Sequence, residues 1–340
     1  MVALLHVTLR GGRGRHETHP YDYFHSKSLW FAPLPTNVLT SIVAQMPADS
    51  PVTSSYITLN GLKLHYLSAG DRGPPLLLLH GTALDSAKLT YGQLMPKLSQ
   101  NFRVFALDWP GYGKSDKPVT EYTMAFYEEV LRAFVTYLEL DKVNLVAFSM
   151  GGGVALQYAL ARPDQLISLV LIDSYGLGSS VHVPLLPYLA LRLPGIAPAL
   201  WWAIKQSRFL LRWCLKRFVF GRSTEVTEQL VDEVRAQLEL EGLQFAFTNW
   251  LRGEVGRFRL VTSHHTRLRQ LDVPTLLVHG SRDLIIPAYR SRRAAKALPN
   301  AQLHIIKGAG HWTPREAPEA VCKALEDFLS NAVLGTVNAL

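Results

Sequence analysis

The sequence predicts an α/β protein: a mostly parallel, doubly wound sheet with an inserted helical region. Short apolar segments alternate with amphipathic ones along much of the chain, as expected for parallel strands buried between helices. Before them, Ser55–Asn60 and Leu62–Ser68 flank Asn60-Gly61, a strong signal for a β-hairpin. The alternation stops between 173 and 273, where prolines and helical periodicity replace strands. An insertion of that length indicates a helical subdomain instead of a loop.

Continuous apolar segments predict the remaining strands. Such segments are typical of strands whose two faces are both covered. The predicted strands are Leu76–Leu79, Val104–Leu107, Val143–Phe148, Ile167–Ile172, Thr275–Val278 and Gln302–Ile306. The last of them precedes a predicted C-terminal helix over Pro314–Leu329. An antiparallel hairpin followed by alternating strands and helices predicts a doubly wound sheet that is parallel over most of its width.

Three regions are predicted along the chain of 340 residues. Residues 1–50 lack sustained hydrophobic periodicity, and glycines alternate with arginines over residues 11–15, so we interpret the segment 1–50 as a flexible N-terminal extension. A start of translation at Met46 is an alternative explanation of this segment. The sheet domain is predicted over 51–175 and 271–335, and a helical cap over the insertion 176–270.

The chain has a formal net charge of +8, and most of the excess lies in the predicted cap. Residues 176–270 contain 13 Lys and Arg against 7 Asp and Glu, together with many Trp, Phe and Leu residues. No nucleic-acid-binding motif accompanies these charges, so we predict no nucleic-acid partner. Mixed basic and apolar sequence favours an apolar lid or a peripheral contact with a membrane surface.

Cysteine content and hydropathy predict the compartment. The two cysteines, Cys214 and Cys322, lack metal-binding spacing, which is typical of a reducing environment without structural disulfides. The N-terminus has no convincing signal peptide. The best candidate for a membrane span, Val183–Ile204, is interrupted by four prolines and contains Arg192. We therefore predict a cytoplasmic protein, with peripheral membrane contact as an option, and neither a metal nor a cofactor.

Ser149 lies where a buried strand continues directly into a helix. A sharp turn there brings the flanking backbones together, so the residues two before and two after the serine have to be small. They are Ala147 and Gly151. The turn would expose the hydroxyl in a strained conformation at the N-terminus of the helix; a serine in an ordinary strand–helix turn is the alternative. The segment resembles the nucleophile elbow, G-x-S-x-G, of the α/β-hydrolases.

Further motifs resemble the same family and occur in its order. His80–Thr82 is similar to the His-Gly turn after the third strand, and Asp108–Ser115 is similar to the D-x-P-G-x-G-x-S loop. Gly280–Pro287 resembles the acid loop, G-x-x-D-x-x-x-P, and Gly308–His311 resembles the histidine loop, G-x-G-H. The resemblance extends over residues 76–318 and implies the α/β-hydrolase fold.

The resemblance also implies a catalytic triad of Ser149, Asp283 and His311, in the Ser-Asp-His chain order of the family. A serine hydroxyl needs a base, and the base needs a carboxylate that orients it. The rival acid is Asp173, at the end of the preceding strand, which lacks the flanking Gly and Pro of the acid loop. We therefore predict Asp283 as the acid.

Two backbone N–H groups are expected to bind the substrate. In the family, the residue after His-Gly and the residue after the nucleophile donate to the oxyanion that develops during acyl transfer. Carried over to this sequence, these residues are Thr82 and Met150, with Ala83 as an alternative to Thr82. We interpret His80 itself as structural.

The resemblance implies a serine esterase or lipase that acts through an acyl-enzyme. Packing of the cap helices on one another and on the sheet is the first explanation of the apolar cap residues, and an apolar tunnel or lipid-facing surface is the second. Both can hold at once, and either favours a hydrophobic acyl substrate. C–C bond hydrolysis, as in ring-cleavage hydrolases with the same Ser-Met-Gly-Gly elbow, is the main alternative, followed by acyl transfer and perhydrolysis. A ligand receptor without catalysis is a remote alternative. The apolar cap residues are Leu185, Leu186, Tyr188, Leu189, Trp201, Trp202, Ile204, Phe209, Leu210, Leu211, Trp213, Phe218 and Phe220.

Overall fold

Eight strands form one sheet in the computed structural model, which describes residues 51–180, 188, 192–193 and 195–337. The predicted N-terminal extension lies outside these residues. The strand order is β1-β2-β4-β3-β5-β6-β7-β8. Because β2 alone runs antiparallel to its neighbours, the predicted mostly parallel, doubly wound sheet is confirmed. The strands are β1 Thr53–Leu59, β2 Leu62–Ala69, β3 Pro75–Leu79, β4 Arg103–Leu107, β5 Val143–Phe148, β6 Leu166–Ile172, β7 Thr275–Gly280 and β8 Ala301–Ile306.

Helices cover both faces of the sheet. Leu77 and Leu79 of β3 contribute to a core beneath one layer of helices, whereas Leu76 and Leu78 contribute to a core on the opposite face. The central strands are continuously apolar for this reason. The described α-helices are α1 Ala87–Tyr91, α2 Met95–Leu98, α3 Met124–Tyr137, α4 Met150–Ala161, α5 Ile196–Gln206, α6 Arg208–Cys214, α7 Glu228–Leu238, α8 Leu243–Glu254, α9 Tyr289–Ala297, α10 Thr313–Glu316 and α11 Pro318–Val337.

The predicted hairpin forms between β1 and β2. Leu59 pairs with Leu62 across the turn, and Asn60 and Gly61 both have positive φ, 51° and 78°. A two-residue turn of this kind requires positive φ at both positions, which Asn and Gly tolerate best.

The predicted C-terminal helix is two helices in the structure. α10 ends before Ala317, whose φ of −138° and ψ of 57° are not helical, and α11 begins at Pro318. Proline disfavours helical geometry in the residue that precedes it, so the chain bends there. The break matters for the site because α10 directly follows His311 and Trp312.

The region between β6 and β7 contains α5 to α8 and a π-helical turn, Leu215–Val219, directly after α6. Its described residues form no strand, only the isolated bridges Ser180–Arg259 and Val255–Leu260. Ser207 separates α5 from α6, because its side chain accepts a hydrogen bond from Leu210 N and caps α6. None of the described helices is long and apolar enough to cross a bilayer; part of the candidate span named above lies outside the described residues.

Candidate active site

Ser149 occupies the turn between β5 and α4. Its φ of 51° and ψ of −116° lie outside the regions that residues with a side chain usually adopt. Neighbouring backbone holds it there: Ser149 N donates to Ile172 O at 2.9 Å, and both Gly152 N and Tyr175 N donate to Ser149 O at 3.0 Å. The strained turn is therefore fixed by β6, by the segment after it and by α4.

Glycine is required at the second and third positions after the serine because α4 passes close to the neighbouring strand ends. A Cβ atom on Gly151 would lie 2.6 Å from the carbonyl oxygens of Leu79 and His80. A Cβ atom on Gly152 would lie 2.2 Å from Ser174 Oγ. The two glycines thus let the N-terminus of α4 approach the ends of β3 and β6.

The structure brings the three predicted triad residues together. His311 Nε2 lies 3.0 Å from Ser149 Oγ, and His311 Nδ1 lies 2.7 Å from Asp283 Oδ2. All three side chains are buried. The other carboxylate oxygen of Asp283 accepts from Ile285 N and Ile286 N, each at 2.8 Å, so backbone groups fix its orientation. The result is a continuous relay of hydroxyl, imidazole and carboxylate.

The ionisation of this relay follows from its surroundings. Burial alone would raise the pKa of Asp283, but the charge of His311 and hydrogen bonds from His279 and His311 hold that pKa well below its usual range. Burial disfavours the charged form of His311, yet the Asp283 carboxylate raises the pKa of His311 above its ordinary value. His311 is therefore a stronger base than a free imidazole, as removal of a proton from a hydroxyl requires.

Asp173, the rival acid, lies directly after β6 in a different environment. Its carboxylate accepts hydrogen bonds from Gly280 N at 2.8 Å and from Thr313 N at 3.3 Å. Among the hydrogen bonds of the described residues, none joins Asp173 to His311. Burial raises the pKa of Asp173 to about 6. Asp283 is thus the carboxylate in contact with the imidazole.

Sequence motifs did not identify His279, a buried residue of β7. Its Nε2 lies 2.8 Å from Ile286 O and 3.2 Å from Asp283 Oδ2, and its Nδ1 lies 2.7 Å from Ser291 Oγ. Because a carbonyl oxygen only accepts, Nε2 carries a proton and can also donate to Asp283. A polar residue inside an otherwise apolar strand was the one available signal.

Asp173, His279 and Asp283 offer three potential metal ligands within 4.8 Å of one another. Hydrogen bonds already engage all three side chains: each carboxylate accepts from a backbone N–H group, and the imidazole donates to Ile286 O. Because an imidazole nitrogen that carries a proton cannot bind a metal, this arrangement favours a hydrogen-bond network that supports the relay over a metal centre.

Three backbone N–H groups near Ser149 are free to bind an oxyanion. Met150 is the first residue of α4, and Thr82 and Ala83 border the same cavity as Ser149. In the part of the chain that the structure describes, none of these three N–H groups donates a hydrogen bond. Thr82 Oγ1 lies 2.6 Å from Tyr112 Oη, which anchors the loop, and Ala83 has a φ of 65°. Both loop residues therefore stay candidates for the donor that acts with Met150.

A cavity of about 320 Å³ opens over Ser149 and His311. Its lining is mostly apolar, as in sites that bury a hydrophobic ligand. Asp85 also borders it, but that carboxylate is engaged by Gly81 N, Ser86 N and Thr90 Oγ1 at 2.6 to 2.7 Å. The apolar residues that the predicted cap contributes are Leu215, Val219, Phe247, Trp250, Leu251, Val255 and Leu260.

The apolar cap residues named from the sequence are not the ones that line this cavity. No described member of that set borders it. Leu211 and Phe220 are buried in the core, whereas Trp202, Phe209 and Trp213 are exposed. Hydropathy identifies which helical residues are apolar, but it does not reveal which of them face a cavity.

Arg290, on α9, is the one Lys or Arg among the described residues that borders the cavity. Its side chain is only 7% exposed. Its Nη2 donates to Ser180 O at 2.7 Å, and it forms no ion pair with a described carboxylate. A buried guanidinium without an acidic partner can bind an anionic group of a ligand.

The sheet order and the strained serine at the end of β5 define an α/β protein of the hydrolase class. A model of the alpha/beta hydrolase family matches residues 76–324, and the chain belongs to this family. The chain is 32% identical to a 2-hydroxymuconate semialdehyde hydrolase of Pseudomonas putida, over 84% of this chain and 97% of that protein.

Two solved structures share the fold. A meta-cleavage product hydrolase of Pseudomonas fluorescens superposes with a TM-score of 0.69 at 24% identity, over 82% of this chain and 98% of that one. An esterase of Thermogutta terrifontis superposes with a TM-score of 0.65 at 24% identity, over 82% of this chain and 99% of that one. The protein is thus similar both to C–C bond hydrolases and to esterases.

Proposed function

We propose that the protein is a serine-dependent hydrolase that cleaves carboxylic esters of hydrophobic acyl groups. The observation that carries the proposal is the relay of Ser149, His311 and Asp283 beneath an apolar cavity. A nucleophile, a base and an orienting carboxylate in hydrogen-bond contact are the parts that acyl transfer needs. The apolar lining supports a hydrophobic acyl group because burial removes its surface from water.

The proposed reaction proceeds in two halves. Ser149 Oγ attacks the ester carbonyl carbon while His311 Nε2 takes the hydroxyl proton, and Met150 N with Thr82 N or Ala83 N stabilises the oxyanion. When the intermediate collapses, the bond to the alkoxy oxygen breaks and His311 returns the proton to the departing alcohol. A water molecule, deprotonated by His311, then attacks the carbonyl carbon of the acyl-enzyme. When this second intermediate collapses, the bond between the acyl carbon and Ser149 Oγ breaks, His311 returns the proton to Oγ, and the carboxylic acid is released.

C–C bond hydrolysis is the second candidate, because a relative at 32% identity is a 2-hydroxymuconate semialdehyde hydrolase. The substrate after which that relative is named carries a carboxylate. Arg290 would supply its counter-charge in the cavity. The same relay would also support transfer of the acyl group to an acceptor other than water.

A substrate panel tests the proposal. The purified protein is assayed with p-nitrophenyl esters of increasing acyl length and, in parallel, with 2-hydroxymuconate semialdehyde. We expect ester turnover whose kcat/KM rises with acyl length until the cavity is filled. Preferential turnover of 2-hydroxymuconate semialdehyde would favour C–C bond hydrolysis over ester hydrolysis as the function.

Matched serine variants connect that turnover to the proposed nucleophile. Ser149→Ala should abolish it, whereas Ser174→Ala should retain it, since the buried Ser174 hydroxyl donates only to Tyr175 O. Turnover of neither substrate type by the folded wild-type protein would contradict both candidates.

A further inference from the structure

Three aromatic side chains are exposed along one side of α6 and the π-helical turn that follows it. Phe209 is 80% exposed, Trp213 48% and Phe218 44%; we call these three residues the aromatic ridge. Phe209 and Trp213 are four residues apart in an α-helix and share a face. The π-helical turn brings Phe218, five residues further on, beside Trp213, with ring centroids 5.5 Å apart.

The opposite side of the same segment faces the interior. Leu211 and Leu215 are buried, and Leu215 and Val219 line the cavity over Ser149. One helical segment therefore separates the proposed catalytic site from the aromatic ridge. Whatever binds the ridge is held within one helix diameter of the acyl cavity.

The segment is strongly basic. Residues 205–222 contain six Lys and Arg and no acidic residue. Three of the six form ion pairs with acidic residues of α7 or just beyond it: Lys205, Arg208 and Arg212.

Lys216 and Arg217 are different, because they form no ion pair among the described residues. The Arg217 guanidinium lies over the Phe218 ring, 5.3 Å from its centroid. Arg217 therefore borders the aromatic ridge without an acidic partner, and Lys216 precedes it in the chain. Long basic side chains beside apolar rings can place their charges at lipid headgroups while the rings insert below.

We propose that the aromatic ridge, with Lys216 and Arg217, docks on a bilayer surface that contains anionic phospholipids. Exposed aromatic side chains favour an apolar environment, and the two unpaired cations favour a negative surface. This charge complementarity is what selects a membrane over an uncharged protein partner. Together with the proposed function, docking would place the acyl cavity beside ester substrates dissolved in the membrane.

Binding is measured with the Ser149→Ala protein, so that the result does not depend on catalysis. The full chain is sedimented with vesicles of phosphatidylcholine alone or of phosphatidylcholine mixed with phosphatidylserine. We expect binding to the mixed vesicles that weakens as salt is added, and little binding to phosphatidylcholine alone. Equal binding to both vesicle types, or none, would overturn the proposal.

Paired variants locate the contact. Phe209→Gln with Trp213→Gln should weaken vesicle binding by about tenfold or more, because two side chains no longer insert. Lys216→Gln with Arg217→Gln should weaken it about fivefold for each charge removed. Tyr56→Gln with Tyr137→Gln, and Arg72→Gln with Lys142→Gln, are the matched exposed controls and should bind as before. Control pairs that weaken binding equally would contradict the assignment.

Two readouts separate this proposal from the proposed function and from self-association. The Phe209→Gln/Trp213→Gln variant, made in the active protein, should keep wild-type turnover of a short, water-soluble ester and lose turnover of the same acyl group presented in vesicles. Absence of ester turnover in both forms, with vesicle binding intact, would reject the ester function but leave the docking surface standing. Light scattering tests self-association. If the wild-type protein is a dimer that does not bind vesicles, and the same variant is a monomer, the ridge contacts a second copy of the chain and membrane docking is overturned.

Discussion

Two parts of the molecule hold their residues in place by different interactions. They are the loops that carry Ser149, Asp283 and His311, and the cavity-lining helices of the region 176–270. The three relay residues follow strands, and backbone hydrogen bonds hold each of them: His311 N, for example, donates to Val219 O at 2.7 Å. The cavity wall is made mostly of apolar side chains, such as Phe247 and Leu251, which are held by packing. Substitutions in the loops should therefore alter the chemistry, whereas substitutions in the wall should alter selectivity.

The largest effect is expected from the carboxylates. Asp283→Asn should lower kcat for a p-nitrophenyl ester by about 10⁴-fold, because an amide does not stabilise the imidazole in the required tautomer and charge. Asp173→Asn should cost about tenfold at most, since the amide oxygen can still accept from Gly280 N. Melting temperatures of both variants serve as the folding control. A larger loss from Asp173→Asn would reverse the assignment of the acid.

His279 tests whether the relay extends beyond three residues. His279→Gln should lower kcat by about thirtyfold, because Asp283 loses a hydrogen bond from an imidazole N–H. The exposed His304→Gln, on the neighbouring strand β8, is the matched control and should behave as wild type. Equal kcat values for the two variants would leave His279 without a role in the relay.

The pH dependence of kcat/KM tests the same role of His279. Protonated His311 cannot accept the serine proton, so kcat/KM should fall as the pH decreases through the raised pKa of His311, above the ordinary value of 6.5. Burial lowers the pKa of His279, but its hydrogen bond to Asp283 and the charge of Asp173 raise that pKa above its ordinary value. A positive charge on His279 opposes protonation of His311, so His279→Gln should move this acid limb to higher pH. A purely structural role for His279 would leave the limb in place, and a wild-type limb below 6.5 would contradict the raised pKa of His311.

Substitution of Arg290 tests whether a positive charge in the cavity wall contributes to substrate binding. Arg290→Gln should lower kcat/KM about tenfold for esters whose acyl chain ends in a carboxylate, because a charged hydrogen-bond donor is lost. Neutral esters of the same length should be unaffected. Arg293→Gln, an exposed position on the same helix, is the matched control. Equal losses on neutral and anionic esters would indicate that Arg290 supports the fold instead of the substrate.

A smaller effect is expected from the apolar wall itself. Phe247→Ala enlarges the cavity and should change the ratio of kcat/KM between long-chain and short-chain esters by about fivefold. The acid limb of the pH profile should not move, because Phe247 does not contact the relay. A large fall in kcat for every ester would mean that the wall and the relay are not separable.

The sequence predicts the loops well because their function requires particular residue types at neighbouring positions. Small residues have to surround Ser149, and Gly280 and Pro287 have to shape the acid loop, so the three relay residues could be named before their geometry was known. The break at Ala317 was missed although Pro318 signals it, because the amphipathic pattern continues across the proline. Local patterns thus locate turns and strand ends, but not every interruption.

The cavity wall could not be predicted in the same way. Trp213 and Trp250 are equally apolar, yet Trp213 is exposed and Trp250 lines the cavity. Which face of a helix meets a cavity depends on how helices pack on one another over long sequence separations. Hydropathy reports only that a face is apolar, and it therefore did not identify the cap residues that line the cavity.

Reaction with a fluorophosphonate probe tests the central claim most directly. We expect a single covalent adduct on the folded protein, mapped by peptide mass spectrometry to Ser149, retained in Ser174→Ala and absent from Ser149→Ala. Labelling of a different serine, or no labelling of folded wild-type protein, would contradict a nucleophile activated by His311 and Asp283.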